Sequence, residues 1–344
     1  MYSFTDDLRV PIVGAPMAGG TSTPALTAAV SEAGGFGFHG GAYVSPETLR
    51  ADVRSIRELT DQPFGVNLFV PEQVDVDDLE FAAYRERLTP LAERAGVDLP
   101  ESVPFTDDAF DAKIDVLIAE RVPVVSFTFG LPDRNTIDRL HDAEIAVSST
   151  VTSIDEARTA TERGVDSLCA QGFSAGGHRA MFRIHDADPQ MDTLDLVRAV
   201  VPLGLPVVGA GGVATPLDVE AILEAGAVAA QVGTLLLRTP EAGTRQAHKD
   251  ALADPRFTQT VTTRAYSGRL ARGLENDFIR TNDGHAPLAY PQVNTLTGGI
   301  RKASESDADV INLWAGSGFR EARAVSVAEV ISGLTPQAPN RFGQ

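Results

Sequence analysis

The sequence has a single cysteine, Cys169, among its 344 residues. A disulfide framework within the chain is therefore excluded, and a thiolate metal site, with one ligand to draw on, is not expected. Cys169 lies inside an apolar run, so it reads as a small buried core residue and not as a reactive thiol. Basic residues are also scarce: 29 Lys and Arg stand against 47 Asp and Glu, a formal net charge of -18. Nucleic acid and anionic membrane surfaces both need basic patches, so neither is an expected partner. The start, "MYSFTDDLRVP", lacks a basic segment followed by an apolar one, and no apolar run is long enough to span a bilayer. A soluble cytoplasmic protein is expected. No HExxH pair and no carboxylate–histidine cluster suggests a metal. No GxxxxGK[ST] motif is present, so a transferable phosphoryl group is not expected.

What is present is a large apolar share, 43% hydrophobic against 22% charged residues, enough for a globular core. Short β-rich runs recur at 11–15, 35–39, 64–69, 122–127, 144–150, 165–170, 206–210 and 229–233. Most are continuously apolar, as strands buried on both faces of a parallel sheet are. Amphipathic helical patterns lie between them, such as "TPALTAAVSEAG", "SIDEARTATERG" and "TPLDVEAILEAG". Each ends in glycine, a common helix stop. Eight strand–helix units predict an α/β fold, a TIM (β/α)8 barrel, over residues 1–255. Residues 71–121 hold two acidic helical patterns where one is needed, so an insertion follows strand 3. Residues 256–344 fall outside the barrel and are expected to pack on it and cover its active face.

Two glycine patterns match a dinucleotide fingerprint by letter. "GFGFHG" (35–40) lies within a strand and does not close one. "GAGGVA" (209–214) has no acidic residue about twenty positions on, near Gln231, where a ribose would need one. Neither is read as a nicotinamide-nucleotide site. "GAGGVATP" instead follows strand 7, and "VGTLLL" continues strand 8. Barrels often bind phosphate with these two loops. Glycines 209, 211 and 212, with Gly233 and Thr234, would form the cup. Without a nearby lysine, the phosphate is read as the handle of a cofactor.

Of the six histidines, His141 and His248 sit in helical patterns and are expected at the surface. His185 and His285 sit in loops. His39 ends strand 2, where a structural and a functional role are equally open. His178 follows strand 6 and two glycines in "AQGFSAGGHRA", which places it on the catalytic face of a barrel with a sterically free ring. It is the candidate catalytic residue.

These motifs together resemble the nitronate monooxygenases, formerly called 2-nitropropane dioxygenases. The resemblance rests on "PIVGAPMAGGTSTPALTAAVSEAGGFGF", "FGVNLFVP", "AQGFSAGGHRA" and "VVGAGGVATPLDVEAILEAGAVAAQVGTLLLRTPEA". It extends to the tail segments "YSGRLARG", "YPQVN" and "LWAG". It implies an FMN-bearing barrel that oxidises alkyl nitronates with O2 to a carbonyl compound and nitrite, without NAD(P)H. By motif position FMN would contact Ala15, Pro16, Met17, Asn67, Gln171, Gly176, Gly177, Gly211, Gly212, Gln231, Gly233 and Thr234. Tyr266, Tyr290 and Thr128 would line the substrate pocket. Two positions depart from the family pattern: "VSFTFG" carries Thr128 where a histidine is usual, and Asn294 stands where an aromatic residue is expected. An FMN-dependent NAD(P)H reductase acting on a quinone or an enoyl thioester is the alternative on the same barrel. A barrel that binds a phosphorylated ligand without redox chemistry is a third reading.

Overall fold

The structure, a computed structural model, describes residue 5 and residues 8–336. Eight parallel strands close into a barrel: β1 (Ile12–Gly14), β2 (Phe36–Gly40), β3 (Phe64–Phe69), β4 (Val124–Thr128), β5 (Ala146–Val151), β6 (Ser167–Gln171), β8 (Val207–Ala210) and β9 (Ala229–Val232). Closure is made by β1 against β9, with Ile12 beside Ala230. The apolar runs are strands because both of their faces are covered. Val13, Phe36, Phe38, Val124, Ala146, Val208 and Ala229 fill the barrel interior. Alternate residues such as Ile12, Val66, Val125, Val147 and Leu168 face the surrounding helices. All eight strands expected from sequence are present, each within two residues of its expected end.

The helix signals act as written. Ser153 and Thr215 cap α6 (Ile154–Arg163) and α8 (Pro216–Glu224), and Thr215 forms a reciprocal capping box with Asp218. Between β3 and β4 lie α3 (Asp78–Ala95) and α4 (Phe110–Ala119). Ile114 and Leu117 of α4 join the barrel core, so α4 is the ring helix and α3 the addition.

Helix α3 has its own partner. Phe81, Tyr84 and Leu88 cluster with Tyr266, Phe278, Val293, Leu296 and Ile300 from the C-terminal region, including α11 (Gln292–Ala303). The Tyr84 hydroxyl donates to the Ala265 carbonyl at 2.5 Å. A three-stranded antiparallel sheet, β10 (Thr260–Thr263), β11 (Ala271–Leu274) and β7 (Gly177–His178), joins the C-terminal region to the loop after β6. The last helix, α12 (Val327–Leu334), returns to the barrel. Val327, Val330, Ile331 and Leu334 enter the main core, where α12 contacts α1 (Pro24–Glu32) and α8. It occupies the place of the eighth ring helix, because only a single short turn, Thr234–Leu236, follows β9 directly.

Candidate active site

A cavity of about 340 Å³ opens at the carboxyl ends of the barrel strands, where barrel enzymes carry their chemistry. Its floor comes from the strands and the turns that follow them: Ala15, Pro16 and Met17 after β1, Asn67 in β3, Thr128 ending β4, Gln171 ending β6, and Gln231 in β9. Gly211 and Gly212 after β8 and Gly233 and Thr234 after β9 lie side by side on its wall, because β8 and β9 are neighbours. Gly176, Gly177 and His178 form a further wall.

The loops are built around their glycines. Gly211 has φ 118°, and a Cβ there would come within 3.0 Å of the Ala175 nitrogen and 2.9 Å of Thr193 Oγ1. A Cβ on Gly176 would fall 2.4 Å from the Gly316 nitrogen, so the C-terminal segment crosses that loop in direct backbone contact. Gly316 N–H also donates to Thr234 Oγ1 at 2.9 Å. That bond uses a lone pair of the threonine and leaves its hydroxyl proton for an anion.

His178 is held at three points. Its backbone pairs with Ala271 of β11. Its carbonyl accepts from Gln171 Nε2 at 3.0 Å. Its Nε2 lies 2.8 Å from Ser267 Oγ. The ring stands among Phe129, Tyr290 and Trp314, with centroids 5.6, 6.0 and 5.4 Å away. Burial, then the positive charges of Arg269 and Arg301, push its pKa down to about 3. The imidazole is neutral over the working range. Arg179, the next residue, is structural: it is buried, paired with Asp188 at 3.0 Å, and bonded to the carbonyls of Gln171 and Gly172.

Among the described residues no aspartate or glutamate lines the cavity, although the chain carries 47 of them. Arg245, Arg301, His178 and His248 line it instead. Arg301 meets no carboxylate among the described residues. Its Nε donates to Thr297 Oγ1 at 3.1 Å, and its terminal nitrogens to Asn312 Oδ1 at 3.2 Å and Asn294 Oδ1 at 2.9 Å. The cavity is thus electropositive and suits an anionic, phosphate-bearing ligand.

The twelve positions named for cofactor contact, together with His178 and Thr128, all line this one cavity. Gln171 has much of its amide committed: Oε1 accepts from Arg179 and Ala180, both at 2.9 Å. Tyr266 does not line the cavity. It is fully buried behind Trp314, stacked on Phe278 at 4.4 Å, and donates to the Ile311 carbonyl. Tyr290 is also outside the lining. It backs His178 and Phe129, and its hydroxyl lies 2.7 Å from that of Tyr43, which does line the cavity. Asn294 orients Arg301, so the departure at that position exchanges an aromatic wall for a polar support. His248 is not at the surface: it is 8% exposed, its Nε2 has no partner among the described residues, and burial lowers its pKa to about 4. Helix α9 (Gln246–Ala251) turns that face inward, where the ring is hydrogen-bonded to the backbone of Trp314. His141 is half-buried and paired with Asp166 at 2.9 Å. His39 is buried against Asp52, which makes it structural. Cys169 is buried, and burial raises its thiol to about 12, so it is inert. Tyr43, Arg245, Arg301, Asn312 and Trp314 were not visible as site residues. For Arg301 the signal was the 294, 297, 301 spacing, one face of a helix once α11 is recognised.

Known proteins resemble the chain over nearly its whole length. The family model described as nitronate monooxygenase matches residues 3–337. A protein of Staphylococcus aureus (strain JH9), "Probable nitronate monooxygenase", is 35% identical over 337 residues, covering 96% of this chain and 94% of its own. The solved nitroalkane oxidase of Streptomyces ansochromogenes superimposes with a TM-score of 0.92 at 41% identity, with 96% of both chains covered. FabK of Thermotoga maritima superimposes with a TM-score of 0.74 at 27% identity, covering 96% of this chain and 93% of its own.

Proposed function

The chain belongs to the nitronate monooxygenase family of flavin-dependent oxidoreductases, and we propose that it uses FMN and O2 to convert alkyl nitronates to a carbonyl compound and nitrite. The observation that carries this reading is the cavity itself: acid-free, flanked by arginines, and joining a glycine cup to His178. A cup for a phosphate and a separate positive field for a small anion are what these two ligands require. Gly211, Gly212, Gly233 and Thr234 would hold the FMN phosphate, and the Thr234 proton would donate to it. Ala15, Pro16, Met17, Asn67, Gln231, Gly176 and Gly177 would border the remainder. FMN is favoured over FAD because no dinucleotide-binding turn is available for an adenosine half.

When bound, the flavin supplies the electron transfer to O2. The protein supplies orientation and electrostatics. A nitronate is already an anion, so no proton need be removed. Arg301 and Arg245 attract it, and His178, being neutral, borders it without adding charge. A neutral nitroalkane would first have to yield its α-proton to a His178 lone pair. Phe129 and Trp314 exclude water from one side of that encounter.

The second reading, an FMN-dependent NAD(P)H reductase, is kept open by the likeness to FabK. One experiment separates the two. The purified protein is loaded with FMN, its flavin is released by heat and identified, and the holoprotein is mixed anaerobically with a nitronate or with NADH or NADPH. Bleaching by nitronate alone is expected. Bleaching by a nicotinamide cofactor alone would reverse the assignment, and failure to retain any flavin would overturn both.

A further inference from the structure

We propose that Ser267 is a positioning residue that holds His178 as its Nε2–H tautomer and so makes Nδ1 the ring's acceptor toward substrate. The assignment of a substrate to that edge rests on the function proposed above; the tautomer does not.

The argument begins with one proton. Ser267 Oγ is buried and has three neighbours: His178 Nε2 at 2.8 Å, the Arg269 carbonyl at 3.0 Å and the Arg269 nitrogen at 3.3 Å. A hydroxyl donates once and accepts through its lone pairs. The Arg269 carbonyl can only accept, so it takes the serine proton. The Arg269 N–H can only donate, so it uses one lone pair. The remaining lone pair faces His178 Nε2, which must therefore carry hydrogen. Reversing the bond would turn the serine proton away from a carbonyl in a region closed to water, a costly exchange.

A doubly protonated ring would also place hydrogen on Nε2, but the surroundings oppose it. The positive charges of Arg269, itself paired with Glu72 at 3.1 Å, and of Arg301 in α11 both act against a cationic ring. Tyr290 and Trp314 contribute no negative charge. The ring is then neutral, with its lone pair on Nδ1. Among the described residues no protein group is bonded to Nδ1, while His178 lines the cavity. Flipping the ring would lose the Ser267 bond.

The fold supports the assignment. Ser267 lies in the turn closed by Gly268 N–H on the Arg264 carbonyl, and β11 begins four residues later. The same hairpin therefore fixes the His178 backbone, through Ala271, and its ring, through Ser267. Ser267 acts through His178 and touches no reacting atom, so it sets the protonation pattern of the residue that does.

The test uses FMN-loaded enzyme labelled with ¹⁵N-histidine. The His178 ring signals are identified by comparison with His178→Asn. Hydrogen on Nε2 and a bare Nδ1 are expected from pH 6 to 8. Ser267→Ala should give a mixture of tautomers, and Ser267→Thr, which keeps the hydroxyl, should restore one. In Ser267→Ala, kcat on a neutral nitroalkane should fall roughly tenfold to a hundredfold, within the range general-base catalysis spans, while nitronate turnover changes by less than about threefold. Hydrogen on Nδ1 in the native enzyme, or an unchanged ring spectrum in Ser267→Ala, overturns the proposal. So does loss of flavin in Ser267→Ala, which would mark a structural role. The ring spectrum needs no substrate. An enzyme with the expected spectrum but no activity on either nitro compound would count against the proposed reaction and leave the tautomer standing.

Discussion

Thr128 ends β4 with its hydroxyl 3.0 Å from Asn67 Nδ2, an amide that also donates to Ser126. Sequence comparison by motif marks this position as a missing histidine. The geometry shows a threonine already integrated into the floor of the site. Thr128→Val should therefore loosen Asn67 and raise KM for a nitronate about two- to tenfold, the value of one neutral hydrogen bond. Thr128→His should lower turnover, because the larger ring displaces that bond; increased turnover would show that the histidine was the limiting absence. His178 carries the sharper prediction. His178→Asn removes the base, so a neutral nitroalkane should lose about 10² to 10⁴-fold in kcat/KM. A nitronate, which needs no base and receives no hydrogen bond from this ring, should lose less than about tenfold, the scale of one neutral contact. Equal losses on both substrates would remove the base role. The low His178 pKa adds a pH signature: the acid limb of kcat/KM should fall well below 6.5. His178 was legible because it follows a strand and two glycines. Arg301 and His248 were not, because a polar residue in an amphipathic helix gives no sign of which neighbour will cover it.

The strands were legible because each is buried twice, against the barrel interior and against the helices. The two residues of β7 were not, since so short a strand has no pattern of its own and exists only as the partner of β11. Likewise α3 looked like a loose insertion until the C-terminal helices gave its apolar face a partner. The glycine cup lies between these cases. Its position was readable from strand order, but its tolerance depends on what lies behind it. Gly211 stands at φ 118°, a region almost confined to glycine, with backbone 3.0 Å from any Cβ. Gly211→Ala should displace the loop, and flavin retention should weaken by more than about tenfold. The ratio of flavin to protein after dialysis reads this directly. Full retention would mean that the phosphate lies elsewhere.

At the scale of the whole molecule, the C-terminal region does two jobs that the chain order conceals. Its middle part frames the site, through Ser267, Arg301, Trp314 and Gly316. Its last helix completes the ring around the barrel. Ile331 is 1% exposed in that core, so Ile331→Ala should destabilise the entire barrel by about 2–5 kcal/mol. Denaturant titration should show one cooperative loss; a separate, early transition confined to the last helix would contradict the shared core. Acid stability follows from the same closure. His248 and His178 are held neutral, with pKa values lowered to about 4 and 3. The unfolded chain takes up these protons near pH 6.5, before the folded chain does. Their contribution to stability is thus complete above 6.5 and is lost as the pH falls toward 4 and then 3. For the protein without added flavin, the melting temperature should decline as buffer pH is lowered from 7 to 5. His248→Gln, which cannot titrate, should flatten part of that slope. An unchanged slope would show that His248 is reached by water or by an anion that keeps its proton in place.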